Sequence, residues 1–276
     1  MGRESVIRRA GAVLAVTVGV FAISGPSAAA VTPPELDPAA TPPAGSAGPV
    51  QSMTQRNPCA ASGAIPGTDV TAQSPNQLSL NLSEAWSHSR GEGQLIAVID
   101  TGITPGPRLP DVEAGGDFVE SGDGLTDCDG IGTLVAGLIA GQPGPDGFSG
   151  VAPAARLLSI RQTSARYAPS DPGEDPVLTR AMVETQTLAR AIVRAADLGA
   201  RVINISTVSC IPVGKNFDQT DLGAALRYAA VDKDAVIVAA AGDSGGTACG
   251  ANPLSDPALP SDPRNWSGVA TLSIPA

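Results

Sequence analysis

The chain is 276 residues long, 42% hydrophobic and 16% charged, with a formal net charge of −10. That length and apolar content suffice for one large domain with a sizeable core. The acidic balance argues against a nucleic-acid partner, because neutralising phosphates requires a basic face.

Residues 1–30 read as a signal peptide. Arg3, Arg8 and Arg9 form a basic start, Ala10 to Ile23 is an apolar stretch too short to span a bilayer comfortably, and Ala28-Ala29-Ala30 offers a small-residue cleavage site. Export is therefore expected, to the cell envelope or beyond. No second apolar span follows within these residues, so the chain is expected to have no membrane anchor of its own.

Residues 31–90 form an N-terminal extension expected to wrap the domain. Its first twenty residues are Pro-rich and predict an extended arm without a core of its own. The rest is polar and ends in a short helical pattern, Leu82-Ser83-Glu84-Ala85-Trp86. A strand–helix alternation then occupies 91–276. Strands are predicted over 95–99, 116–119, 155–160, 202–206 and 235–241. Helices are predicted over 133–141, 178–198 and 221–231. The apolar run Ala235-Val236-Ile237-Val238-Ala239-Ala240 suits a parallel sheet covered on both faces. The pattern is that of a doubly wound α/β domain.

Four cysteines follow the leader: Cys59, Cys128, Cys210 and Cys249. Export favours disulfides, and four cysteines allow three pairings. No two are spaced C-x-x-C and the one histidine is His88, so neither a metal site nor a cofactor is expected.

The chemistry-bearing motifs come in a fixed order. The first is Ile96-Ala97-Val98-Ile99-Asp100-Thr101-Gly102, an apolar strand ending in aspartate. Asp-Thr-Gly also marks aspartic proteases, but those need two such loops sharing a proton, and here there is one. Next comes Asp127-Cys128-Asp129-Gly130-Ile131-Gly132-Thr133-Leu134-Val135-Ala136-Gly137. Then follow Ala200-Arg201-Val202-Ile203-Asn204-Ile205-Ser206 and Ala235-Val236-Ile237-Val238-Ala239-Ala240-Ala241-Gly242.

This ordered set resembles the subtilisin-like serine proteases. Further segments are similar to the mycosins, the subtilase-type proteases of type VII secretion systems. Among them are Gly115-Gly116-Asp117-Phe118, Gly147-Phe148-Ser149-Gly150-Val151-Ala152-Pro153 and Pro260-Ser261-Asp262-Pro263-Arg264-Asn265-Trp266. The resemblance implies a subtilisin-like sheet, incomplete at its C-terminal side, and transfers roles residue by residue. Asp100 matches the aspartate that orients the general base. Ile131 occupies the histidine's place and cannot accept a proton. Asp243 replaces the asparagine whose amide serves the oxyanion hole, and a carboxylate there repels developing negative charge. No G-T-S-x-A segment for a nucleophile occurs in the sequence. His88, among polar neighbours, reads as a solvated surface residue rather than a substitute base. Ser206, Thr207 and Val208 match the edge that pairs with a substrate backbone, which could still bind peptide segments by strand addition. The resemblance also implies the pairings Cys59–Cys128 and Cys210–Cys249.

The expectation is a mycosin-like homologue that does not cleave peptides and that binds or braces secretion-system components. The alternative is a truncated or decayed remnant of an active serine endopeptidase.

Overall fold

The computed structural model describes residues 36–63, 65–69, 71–73, 75–212, 215, 217–242, 249 and 271–274. Their regular elements are, in chain order, β1 (Met53–Gln55), α1 (Pro75–Ser79), α2 (Leu82–Ala85), β2 (Leu95–Asp100), β3 (Val112–Asp117), α3 (Ile131–Ala140), β4 (Arg156–Arg161) and β5 (Tyr167–Pro169). They continue with α4 (Pro176–Asp197), β6 (Val202–Ile205), β7 (Ser209–Pro212), α5 (Thr220–Arg227), a π-helical turn (Tyr228–Asp232), β8 (Val236–Ala239) and β9 (Thr271–Ile274).

Five parallel strands form the central sheet in the order β3-β4-β2-β6-β8. Side chains alternate across a strand, so each strand feeds both faces. Leu95, Ala97 and Ile99 of β2 join Leu188 and Ile192 of α4 and Ala225 of α5 in one core. Ile96 and Val98, one residue out of phase, join Ala136 and Ala140 of α3 in the other. Helix α4 begins at the Asp175 cap, whose carboxylate accepts from Leu178 N, with Pro176 in the first turn. This is the subtilisin-like α/β arrangement, with helices on both sides of a parallel sheet.

Two expectations shift. The strand expected at 116–119 lies at Val112–Asp117. Its Glu and Gly residues carry no apolar alternation, and pairing with β4 makes it a strand, with a register break between Ala114 and Gly116. The strand expected to be covered on both faces, β8, is the sheet's edge among the described residues, and Val236 and Val238 are 60% and 49% exposed. Both valines point to the α3 side, in register with Val202 and Asn204, and α3 does not reach that far across the sheet. Two antiparallel pairs, β1–β5 and β7–β9, were not legible as patterns in the sequence.

Among the described residues the arm has no regular element before β1, and it borrows hydrogen bonds from the domain. Ala40 O accepts from Arg227, Ser46 O from Arg190, and Gly48 N donates to Asp117 O. Strand β1 then pairs with β5, and Cys59 is bonded to Cys128. Cys210 is bonded to Cys249.

Candidate functional site

The end of β2 and the start of α3 are stitched together by short polar links. The Thr101 hydroxyl donates to Asp127 Oδ1 at 2.8 Å and accepts from Gly132 N at 2.9 Å. Asp127 is the hub: Oδ1 also accepts from Gly130 N, and Oδ2 accepts from both the amide and the hydroxyl of Thr133. A carboxylate receiving the free amides of a helix start satisfies donors that would otherwise be bare and complements the helix dipole.

Two glycines permit this approach. A Cβ on Gly132 would lie 2.1 Å from Gly102 O and 3.2 Å from Asp100 Cβ. One on Gly102, whose φ is +99°, would lie 2.1 Å from Thr126 O. Residue 131 is thereby fixed beside the end of the aspartate's strand.

Asp100 is fully buried. Its Oδ1 accepts from Thr101 N at 2.7 Å, and its Oδ2 has no partner. Burial raises its pKa from 3.8 to about 6, opposed by the Thr101 N–H and reinforced by the charges of Asp127 and Asp129. Ile131 opens α3 and is 48% exposed. Its sec-butyl side chain carries no N–H that could serve a carboxylate oxygen.

Ile131 lines a cavity of about 680 Å³ together with Thr101, Ser206, Thr207, Val208 and Gly242. Ser206, Thr207 and Val208 are half-buried and lie between β6 and β7, outside any strand ladder. The structure thus brings Ile131 and these three residues to one cavity, which Asp100 does not line, although its neighbour Thr101 does. Asp243 lies outside the described residues. His88 is exposed, just beyond α2.

The far wall carries groups the sequence reading missed. Glu184 accepts from Arg180 Nε at 2.8 Å, from the Thr163 hydroxyl at 3.0 Å and from the Ser209 hydroxyl, and Arg180 also donates to the carbonyls of Tyr167 and Ser164. The signal available was the Arg-x-x-x-Glu spacing on α4, which places both side chains on one face. It could not show that this face meets a cavity. No group of acidic, Cys or His side chains suited to hold a metal occurs among the described residues. Nor is any described helix long and apolar enough to cross a membrane.

The model of the subtilase family matches residues 91–273. Mycosin-3 of Mycobacterium tuberculosis (strain ATCC 25618 / H37Rv) is 61% identical over 275 residues, which is 98% of this chain and 60% of that protein. Mycosin-1 of the same strain is 46% identical over 267 residues, 95% of this chain and 59% of that protein. The chain therefore spans about three-fifths of the length of these curated relatives. Among solved structures, the MycP3 protease from the type VII (ESX-3) secretion system superposes with a TM-score of 0.80 at 66% identity, covering 89% of this chain and 66% of that one. A chain in the periplasmic assembly from the ESX-5 inner membrane complex superposes with a TM-score of 0.79 at 48% identity, covering 89% and 64%.

Proposed function

This chain belongs to the subtilase family, and from that premise we propose that it is an exported, mycosin-like homologue that engages peptide segments of a type VII secretion assembly without cleaving them. The observation that carries the reading is Ile131. The close junction between β2 and α3, where Gly132 N donates to Thr101 and a Cβ on Gly132 would lie 3.2 Å from Asp100 Cβ, supports reading residue 131 as the base's position. An alkyl side chain there performs no proton transfer, and losing one member of such a constellation typically removes several orders of magnitude in rate. The sequence adds a carboxylate, Asp243, where the family supplies an amide donor. Asp100 is the retained partner of a base that is not there, which accounts for its bare oxygen.

The cavity wall of Ser206, Thr207 and Val208 supports peptide engagement, because backbone outside any ladder can take an added strand. Relatives in the ESX-5 inner membrane complex support a partner among secretion components. Residues 1–30 support export.

The test uses a fluorophosphonate probe and fluorogenic peptides on the parent chain, on Ile131→His, and on Ile131→His with Asp243→Asn. None is expected to be labelled or to turn over substrate, because restoring a base and a donor supplies no nucleophile. Stoichiometric labelling of a serine in any of the three, abolished by Asp100→Asn, would overturn the reading.

A further inference from the structure

Among the described residues that line the cavity at Ile131, two are charged, Arg180 and Glu184, both on α4. They face each other, with Arg180 Nε 2.8 Å from Glu184 Oε1. Each is also held independently of the other. The Arg180 guanidinium donates through Nη1 to Tyr167 O at 2.9 Å and through Nη2 to Ser164 O at 3.1 Å. The Glu184 carboxylate accepts from the Thr163 hydroxyl at 3.0 Å and from the Ser209 hydroxyl. Removing one charge therefore leaves the other anchored where it is.

The other polar lining groups are engaged in the same way. The Thr101 hydroxyl is shared between Asp127 and Gly132 N, and the Ser206 hydroxyl accepts from the Asn204 amide. Much of the remaining lining is alkyl. Ile131 and Val177 are 48% and 42% exposed, and Ala165, Pro176 and Val208 complete that wall. A charged side chain entering such a cavity sheds water and meets charges already neutralised, so its desolvation is not repaid. An apolar side chain gains burial there and leaves no polar group unmet.

We propose that the Arg180–Glu184 pair is a specificity-determining element of this cavity. By cancelling the two charges it admits an uncharged, apolar side chain of an extended peptide segment and turns away acidic and basic ones. The inference rests on the reading that Ser206, Thr207 and Val208 engage peptide. Specificity is a difference of affinities, and here part of that difference comes from refusing charge.

The probes are acetyl-alanyl-alanyl-leucyl-alanine amide and its counterparts with glutamate or lysine in place of leucine. Each is titrated against the folded chain and followed by the methyl resonances of Val177 and Val208. In the parent the leucyl peptide should give a saturable shift and the two charged peptides should bind more weakly. Glu184→Gln strips the countercharge from a guanidinium that two carbonyls still hold. It should raise affinity for the glutamyl peptide relative to the leucyl one by roughly fivefold, the scale of a partly exposed ion pair. Arg180→Met leaves the carboxylate bare and should shift preference toward the lysyl peptide. Melting near that of the parent shows that a variant is folded, and if Arg180→Met does not fold, Glu184→Gln decides alone. A pair that only stabilised the fold would change melting or weaken all three peptides alike. Unchanged preference in folded Glu184→Gln overturns the proposal and leaves peptide engagement standing. A parent that binds either charged peptide as well as the leucyl one also overturns it. Binding of none of the peptides to any of the proteins overturns peptide engagement, and this inference with it.

Discussion

Asp100 is the residue whose surroundings have the sharpest consequence. An acid whose pKa rises from 3.8 to about 6 on folding binds its proton more tightly in the native state. Its contribution is therefore most favourable below pH 4 and is lost as pH rises from about 4 to 6. At 1.36 kcal/mol per unit, the loss is on the order of 2–3 kcal/mol at neutral pH. Asp100→Asn should thus gain stability relative to the parent across that window, measured as the difference between two denaturation series over pH. A difference that stays constant from pH 4 to 7 would show that burial does not control this carboxyl. Ile131→His should abolish the same pH slope by a different route, since an imidazole N–H reaching Oδ2 stabilises the carboxylate and lowers its pKa. A carboxyl ¹³C titration of Asp100 in that variant should move well below 6, and an unmoved midpoint would mean that residue 131 does not address Asp100.

At the scale of elements, β8 is the exposed feature. Valines at 236 and 238 face outward on one side, while Ile237 packs against the core. An apolar strand at the edge of the sheet, as β8 is among the described residues, is a template for pairing with another chain. The 276-residue chain is accordingly expected to self-associate. Val238→Lys should suppress this, because a charge on the exposed face of an edge strand opposes strand addition and removes no core contact. Light scattering after size exclusion tests it: the variant should shift toward monomer with little change in melting temperature. A parent already monodisperse and monomeric, or a variant that associates equally, would refute the assignment of β8 as the sticky edge.

For the molecule as a whole, the extension is held by one covalent link and many polar ones. Cys59–Cys128 closes a loop with a sequence separation of 69, delivering the arm to the turn that precedes α3. Chain-entropy reasoning assigns such a closure about 4 kcal/mol through the unfolded state. Replacing both cysteines by alanine should lower stability by roughly that amount. It should also speed hydrogen exchange at Ala60, whose amide donates to Cys128 O. Unchanged exchange there would mean that the β1–β5 pairing, not the disulfide, fixes the arm.

The sequence by itself determined the alternation of strands and helices, the order of the motifs and hence the family, and the presence of an isoleucine at 131 and an acid at 243. Those follow from local periodicity and from which atoms a side chain carries, and neither depends on distant neighbours. Only the tertiary structure decided the rest. Strand β3 exists because β4 lies beside it, against its own glycine-rich composition. The pairs β1–β5 and β7–β9 join segments too short and too far apart to declare themselves. Asp100 is raised because the fold removes its water and sets Asp127 and Asp129 nearby, and its bare oxygen is visible only once every donor around it is placed. Arg90 and Arg108 are alike as letters, and they differ because the fold gives one a carboxylate and two carbonyls and leaves the other stacked on Trp86. Desolvation and pairing belong to the three-dimensional neighbourhood, and a linear sequence does not state which neighbours a side chain will meet.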